Sequence, residues 1–255
     1  MTASVPIEPA ATLILVREGP DGIEILMQQR NPQAVFVGGA WVFPGGKLDP
    51  NDNADLWQSL IVDLSESDAY RTLDLAHAAS PCNADEVLPH EAAAPLQAKA
   101  LAYWVAALRE AFEEAGLLLV KERVTQTQRD HWREQLLSGA LSWQQLIESN
   151  NLSPAVNQLH YLSRWVTPPH NTRRYDTRFF ITQAPMDQDL SHEDYEAIET
   201  RWLRPQDALS AAKNGEMQLI LPTLVTVRAL SEATERFASA DAVINNVLEY
   251  FNPQR

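Results

Sequence analysis

Arg109, Glu110, Glu113 and Glu114 place one guanidinium and three carboxylates within six positions, the clearest capacity for chemistry in this chain. In helical geometry Glu110 stands three residues from Glu113 and four from Glu114, so all three acids share one face. Three like charges so close repel, and a helix gains no stability from them. A bound Mg²⁺ or Mn²⁺ removes that penalty, because hard cations take carboxylate oxygens. Arg109 can pair with one carboxylate and fix its rotamer. A solvated acidic face has the same spacing. Two features favour metal: the opposite face is apolar (Leu101, Trp104, Val105, Leu108, Phe112, Ala115), and the helix stops at Gly116 before another apolar run.

Several elements must position that helix. Residues 11–18 and 23–30 are β-favouring runs on either side of Gly19-Pro20-Asp21-Gly22, and read as a hairpin. Ala40–Phe43 is a short strand entering a Pro44-Gly45-Gly46 turn. Residues 47–97 change character, with short helical pieces at 54–64 and 66–79. The main helix runs from about Leu96 to Ala115, and Leu117–Val120 reads as a strand. Two helices follow within 125–150, with Ser142 as an N-cap. Strands are expected at 159–167 and 174–182, an exposed acidic loop at 184–198, and a strand-like run at 201–203. Helices are expected at 205–213 and 222–250. Interleaved strands and helices without a repeat or linker give an α/β (α+β) class and a single domain over 1–255.

Composition narrows the function classes. The 255 residues carry a formal charge of −14 and a pI near 4.8, which argues against nucleic-acid or anionic-membrane surfaces. A bound metal can still reverse the local field for an anionic substrate. The single cysteine, Cys82, allows no intrachain disulfide. The first residues lack a basic leader, and the Ala11–Val16 run is too short to span a membrane, so a cytoplasmic protein is expected.

The helix segment Arg109-Glu110-Ala111-Phe112-Glu113-Glu114-Ala115-Gly116-Leu117 resembles the second half of the Nudix box, R-E-U-x-E-E-x-G-U, with Ala111 the mismatch. The first half begins at Gly46, after Phe43-Pro44-Gly45. Five residues beyond Gly46 the family expects Glu and this chain has Asp52. An uninterrupted box puts its arginine at position 60; here it is at 109, so about 49 residues are inserted. Such a split box resembles the CoA and acyl-CoA diphosphatase branch, as do Phe43–Asp49, Arg164–Pro168 and Arg174–Phe180. The resemblance covers roughly residues 11–225. It implies an α/β/α sandwich with a mixed sheet, a mostly helical insertion at about 53–97, and a C-terminal helix that packs on the domain or makes a homodimer contact.

The resemblance also implies roles. Glu113, Glu114 and the Gly45 carbonyl would ligate the metal, and Glu110 would ligate a second metal or act as general base. Arg109 would orient a glutamate. Glu193 and Asp194, in the acidic stretch 187–199, are further candidates for base or ligand. The branch has a motif upstream of the box that falls here on Arg30, Gly39 and Phe43–Gly46, and its second arginine is replaced by Val35. Arg30 and Gly46 are therefore expected at the substrate. Arg174 and Arg178, beside Arg173 and Tyr175, would suit a 3′-phosphate and an adenine, although an ion pair with Asp176 is the commoner use of such arginines. The implied reaction is cleavage of CoA or acyl-CoA to 3′,5′-ADP and a 4′-phosphopantetheine. ADP-ribose, NADH or dinucleoside polyphosphates are the alternative substrates, and a non-catalytic nucleotide-binding regulator is the alternative of another class.

Overall fold

Alternation along the first strand sets the architecture. In β1 (Ile7–Gly19), Leu13 and Leu15 enter one apolar layer while Ile14 and Val16 enter another, so both sheet faces are covered. The structure, a computed structural model, describes residues 5–34, 37–75, 98–190 and 197–252. β1 returns as β2 (Gly22–Arg30), with Val16 opposite Ile25 and Gly19 opposite Gly22, so the expected hairpin forms. Two short pieces follow, β3 (Trp41–Val42) against β2 and β4 (Gly45–Lys47) against β1.

A capped 3-10 turn at Pro50–Asn53 leads into α1 (Trp57–Leu60) and α2 (Glu66–Leu75). The long α3 (Ala100–Ala115) comes next, then α4 (Gln126–Leu137) and α5 (Trp143–Ser149). β5 (His160–Val166), β6 (Arg174–Gln183) and β7 (Ala197–Leu203) complete the sheet. The chain closes with α6 (Pro205–Lys213), α7 (Leu221–Thr234) and α8 (Ala240–Phe251).

The sheet runs β3-β2-β1-β6-β5, with β4 also on β1 and β7 on β2. β1 and β6 are parallel from Ile7 opposite Arg174 to Val16 opposite Gln183; the other pairs are antiparallel. The sheet is therefore mixed. One layer packs Leu13, Leu15 and Leu26 against Tyr103, Leu108 and Phe112 of α3. The other packs Ile14, Ile25 and Met27 against Val227, Val243 and Val247 of α7 and α8. This is the expected α/β/α sandwich with its C-terminal helix.

Several local expectations are corrected. Residues 117–120 form no strand; Val120 makes one isolated bridge to Pro154. The helix expected at 54–64 is one turn long, because Pro50–Asn53 takes the preceding residues into its own capped turn. Residues 222–250 are two helices, since Ser239 accepts from the Ala242 N–H and starts α8 afresh. The main helix begins at Ala100. Residues 76–97, with Cys82 and much of the insertion, lie outside the described residues.

Candidate active site

The acidic helix face is not solvated. Every α3 residue is buried except Glu113, which is half-buried; Arg109, Glu110 and Glu114 are 8%, 9% and 4% exposed. The helix forms because its sequence has no Gly or Pro and is rich in Ala and Leu. It ends because Gly116 adopts φ 74° and its N–H donates back to Ala111 and Phe112 carbonyls.

Arg109 organises the site. Its Nε and Nη2 donate to the two oxygens of Asp52 at 3.0 and 2.9 Å, and Nη2 also donates to the Lys47 carbonyl at 3.0 Å. Its Nη1 meets Glu113 at 2.7 Å and Glu110 at 2.9 Å. Burial works against the guanidinium charge, yet Glu110, Asp52 and Glu113 raise its pKa above the ordinary value. Asp52 is itself raised by burial, against the pull of Arg109. It also accepts from the Asp49 N–H at 2.7 Å, so Asp49-Pro50-Asn51-Asp52 is a reciprocal cap. The residue at the family's glutamate position thus serves as the anchor of Arg109.

Gly45 and Gly46 are needed where they stand. A Cβ on Gly45 would lie 2.5 Å from the Ala11 carbonyl oxygen and 2.7 Å from Thr12 Cα. One on Gly46 would lie 2.4 Å from Glu110 Oε1. The Gly45 N–H donates to Glu114 Oε2 at 2.8 Å. Gln28 Nε2 donates to the same oxygen at 2.6 Å. This glutamine went unnoticed in the sequence, although a polar side chain after Ile25-Leu26-Met27 was the available signal.

Burial pushes Glu110 up to about 7, against the pull of Arg109 and with repulsion from Glu113. Burial raises Glu113 as well. Among the described residues no three acidic side chains close on one point, because Glu110 and Glu113 close on Arg109 Nη1 instead. The donor set still fits a hard divalent cation: three carboxylates on one helix, two of them raised by burial.

A pH signature follows. The folded-state value of Glu110 lies above the ordinary glutamate value of 4.5, so the folded protein holds that proton more tightly. Its contribution to stability is full below about 4.5 and is lost as pH rises through about 7. A cation bound at these carboxylates would take the place of the lost proton. Added Mg²⁺ is therefore expected to raise the melting temperature more at pH 8 than at pH 5, read by differential scanning fluorimetry. A larger effect at pH 5 would count against cation binding at Glu110.

The carboxylates open into a cleft of about 1380 Å³. Arg30 and Gly46 line it. The Arg30 Nε is buried and has no hydrogen-bond partner among the described residues. Along β6, Tyr175, Thr177 and Phe179 face the cleft, and Arg173 lines it just before the strand. Arg174 and Arg178 do not line it. Strand alternation turns them to the α3 side, where Arg174 donates to the Thr167 carbonyl at 3.0 Å. Arg178 is fully buried, 3.1 Å from Asp176, with its guanidinium 5.6 Å from the Tyr103 ring. Their expected contact with substrate is thereby corrected, and Arg173 is the cation of that cluster which reaches the cleft. Glu193 and Asp194 lie outside the described residues.

Residues 8–230 match the family model of the NUDT19 Nudix domain. The acyl-coenzyme A diphosphatase NUDT19 of Homo sapiens is 28% identical over 239 residues, spanning 83% of this chain and 61% of that protein. Its Xenopus laevis counterpart is 24% identical, over 89% of this chain and 64% of that protein. The chain thus spans about three fifths of the length of these relatives. The crystal structure of a NUDIX hydrolase from Alicyclobacillus acidocaldarius superposes with a TM-score of 0.70 at 23% identity, covering 95% of this chain and 97% of that one. Among the described residues no helix is long and apolar enough to cross a membrane.

Proposed function

The chain belongs to the Nudix family, and from that premise we propose that it hydrolyses the diphosphate of CoA or acyl-CoA with Mg²⁺ or Mn²⁺. The products are 3′,5′-ADP and the 4′-phosphopantetheine or its acyl derivative. The observation that carries this reading is the buried set Glu110, Glu113 and Glu114, tied by Arg109 and Gly45 at the floor of a cleft lined by unlike residues. The relatives named acyl-coenzyme A diphosphatase supply the substrate class.

Glu113 and Glu114, with the Gly45 carbonyl, would hold the cation. Such an ion neutralises diphosphate charge and makes bound water more acidic. The protein's own groups do the rest. Arg109 keeps the carboxylates apart from one another's repulsion by sharing its charge with them. Glu110 takes the proton of the attacking water, or ligates a second cation. Arg30, whose Nε is buried without a hydrogen-bond partner among the described residues, meets a phosphate oxygen. The aromatic wall of Trp165, Tyr175 and Phe179 takes the apolar and planar parts of the substrate.

The test is a turnover panel of CoA, acetyl-CoA, ADP-ribose, NADH and diadenosine polyphosphates with each metal. Highest kcat/KM on CoA or acetyl-CoA is expected. Turnover of ADP-ribose without CoA overturns the substrate class. Nucleotide binding without any turnover makes the chain a non-catalytic regulator.

A further inference from the structure

Gln28 stands where the sheet supports the site and has no assigned part in it. It is 2% exposed on β2, next to residues that are fully buried and apolar, Ile25, Leu26 and Met27. Leu26 packs in the layer beneath α3, and strand alternation turns Gln28 to that same face. Its Nε2 donates to Glu114 Oε2 at 2.6 Å, while its Oε1 is buried with no hydrogen-bond partner among the described residues. An unsatisfied buried amide oxygen destabilises a fold. A methionine fills similar space without that defect. Packing therefore does not account for glutamine at this position; the donor does.

Three elements converge on one carboxylate oxygen. α3 carries Glu114, β4 brings the Gly45 N–H at 2.8 Å, and β2 brings the Gln28 amide. Two donors to one oxygen fix the side chain against the two strands. Gln28 has no exposed surface of consequence and does not line the cleft, so its action on the site runs through Glu114. We propose that Gln28 is a positioning residue: with the Gly45 N–H it holds the Glu114 carboxylate in one rotamer, ready to ligate a divalent cation. This rests on the metal-dependent reading above, which assigns Glu114 as a ligand.

The experiment measures Mn²⁺ binding by calorimetry and the melting temperature of the metal-free protein, on the full chain. Gln28→Met is expected to raise the Mn²⁺ Kd at least about tenfold, the scale on which partners of metal ligands act. Its metal-free melting temperature is expected to match or exceed the wild type. Gln29→Met, on the opposite face of the same strand, is expected to leave Kd within twofold. A Gln28→Met Kd within twofold of wild type overturns the proposal, as does an equal loss in Gln29→Met. A fall in melting temperature with Kd unchanged assigns Gln28 a structural role and overturns it too. If Gln28→Met does not fold, Gln28→Leu is read by the same criteria. A wild-type chain that binds no Mn²⁺ defeats the metal-dependent reading itself, which separates that failure from this one.

Discussion

Glu114→Gln is expected to lower kcat on the order of 10³-fold, the equivalent of about 4 kcal/mol at 1.4 kcal/mol per tenfold. The reasoning starts from what the substitution keeps. A glutamine has the shape of glutamate and retains a carbonyl oxygen that can accept from Gln28 Nε2 and the Gly45 N–H. Both strand contacts can persist, so the melting temperature is expected to move by no more than about 4 °C, the equivalent of roughly 1 kcal/mol. What it removes is the negative charge that a cation needs. Charge neutralisation by a metal is worth several kcal/mol to a transition state of this kind. Steady-state kinetics on CoA with Mg²⁺, beside a thermal melt, reads both quantities. Activity within tenfold of wild type would show that Glu114 is not a metal ligand.

The same residue shows how far the sequence could be read. Spacing alone put Glu110, Glu113 and Glu114 on one face, because helical periodicity is a local property. It left open whether that face met water. Burial of Glu114 and Glu110 comes from β4 and β2, which are far away in the chain, and no local pattern encodes that approach. Gly45 and Gly46 were legible as a turn, but their need for a missing Cβ arises from Ala11, Thr12 and Glu110. Alternation along β6 puts Arg174 and Arg178 on one face and Tyr175, Thr177 and Phe179 on the other. Which group faced the cleft depended on the parallel pairing of β6 with β1, a long-range choice. The hairpin of β1 and β2 needed only a turn signal between two apolar runs, and it was found. The Leu117–Val120 run has strand composition, yet it has no neighbouring strand to pair with beyond one bridge to Pro154.

Asp52 is the instructive departure. The family pattern has a glutamate at this position and the chain has the shorter acid. In the structure its two oxygens receive the Arg109 fork, and its own position is set by the cap with Asp49. The split in the box therefore falls after the last residue that the arginine needs, and the insertion leaves the ion-pair network whole.

That network makes Arg109 the position where stability is expected to be most sensitive. Arg109→Ala removes the one guanidinium that meets Asp52, Glu110 and Glu113 together. Asp52 is 2% and Glu110 9% exposed, so water cannot replace the lost partner. Breaking a buried pair by deleting one member costs about 3–5 kcal/mol, because the remaining charge is left uncompensated. At roughly 2–4 °C per kcal/mol for a chain of this size, the melting temperature is expected to fall by about 6–20 °C. Asp52→Asn is expected to fall by less, since Arg109 keeps Glu110 and Glu113. Mg²⁺ gives the discriminating measurement. If the carboxylates bind a cation, saturating Mg²⁺ supplies the charge that Arg109→Ala removes, and binding to the folded state alone raises stability by mass action. The Mg²⁺-induced rise is then expected to be larger in Arg109→Ala than in wild type, even though the arginine no longer orders the ligands and turnover is low. A variant that melts with the wild type would show that the Arg109 network carries no stability. A variant that melts early and gains nothing from Mg²⁺ would show that these carboxylates need the arginine in place before they can take a cation.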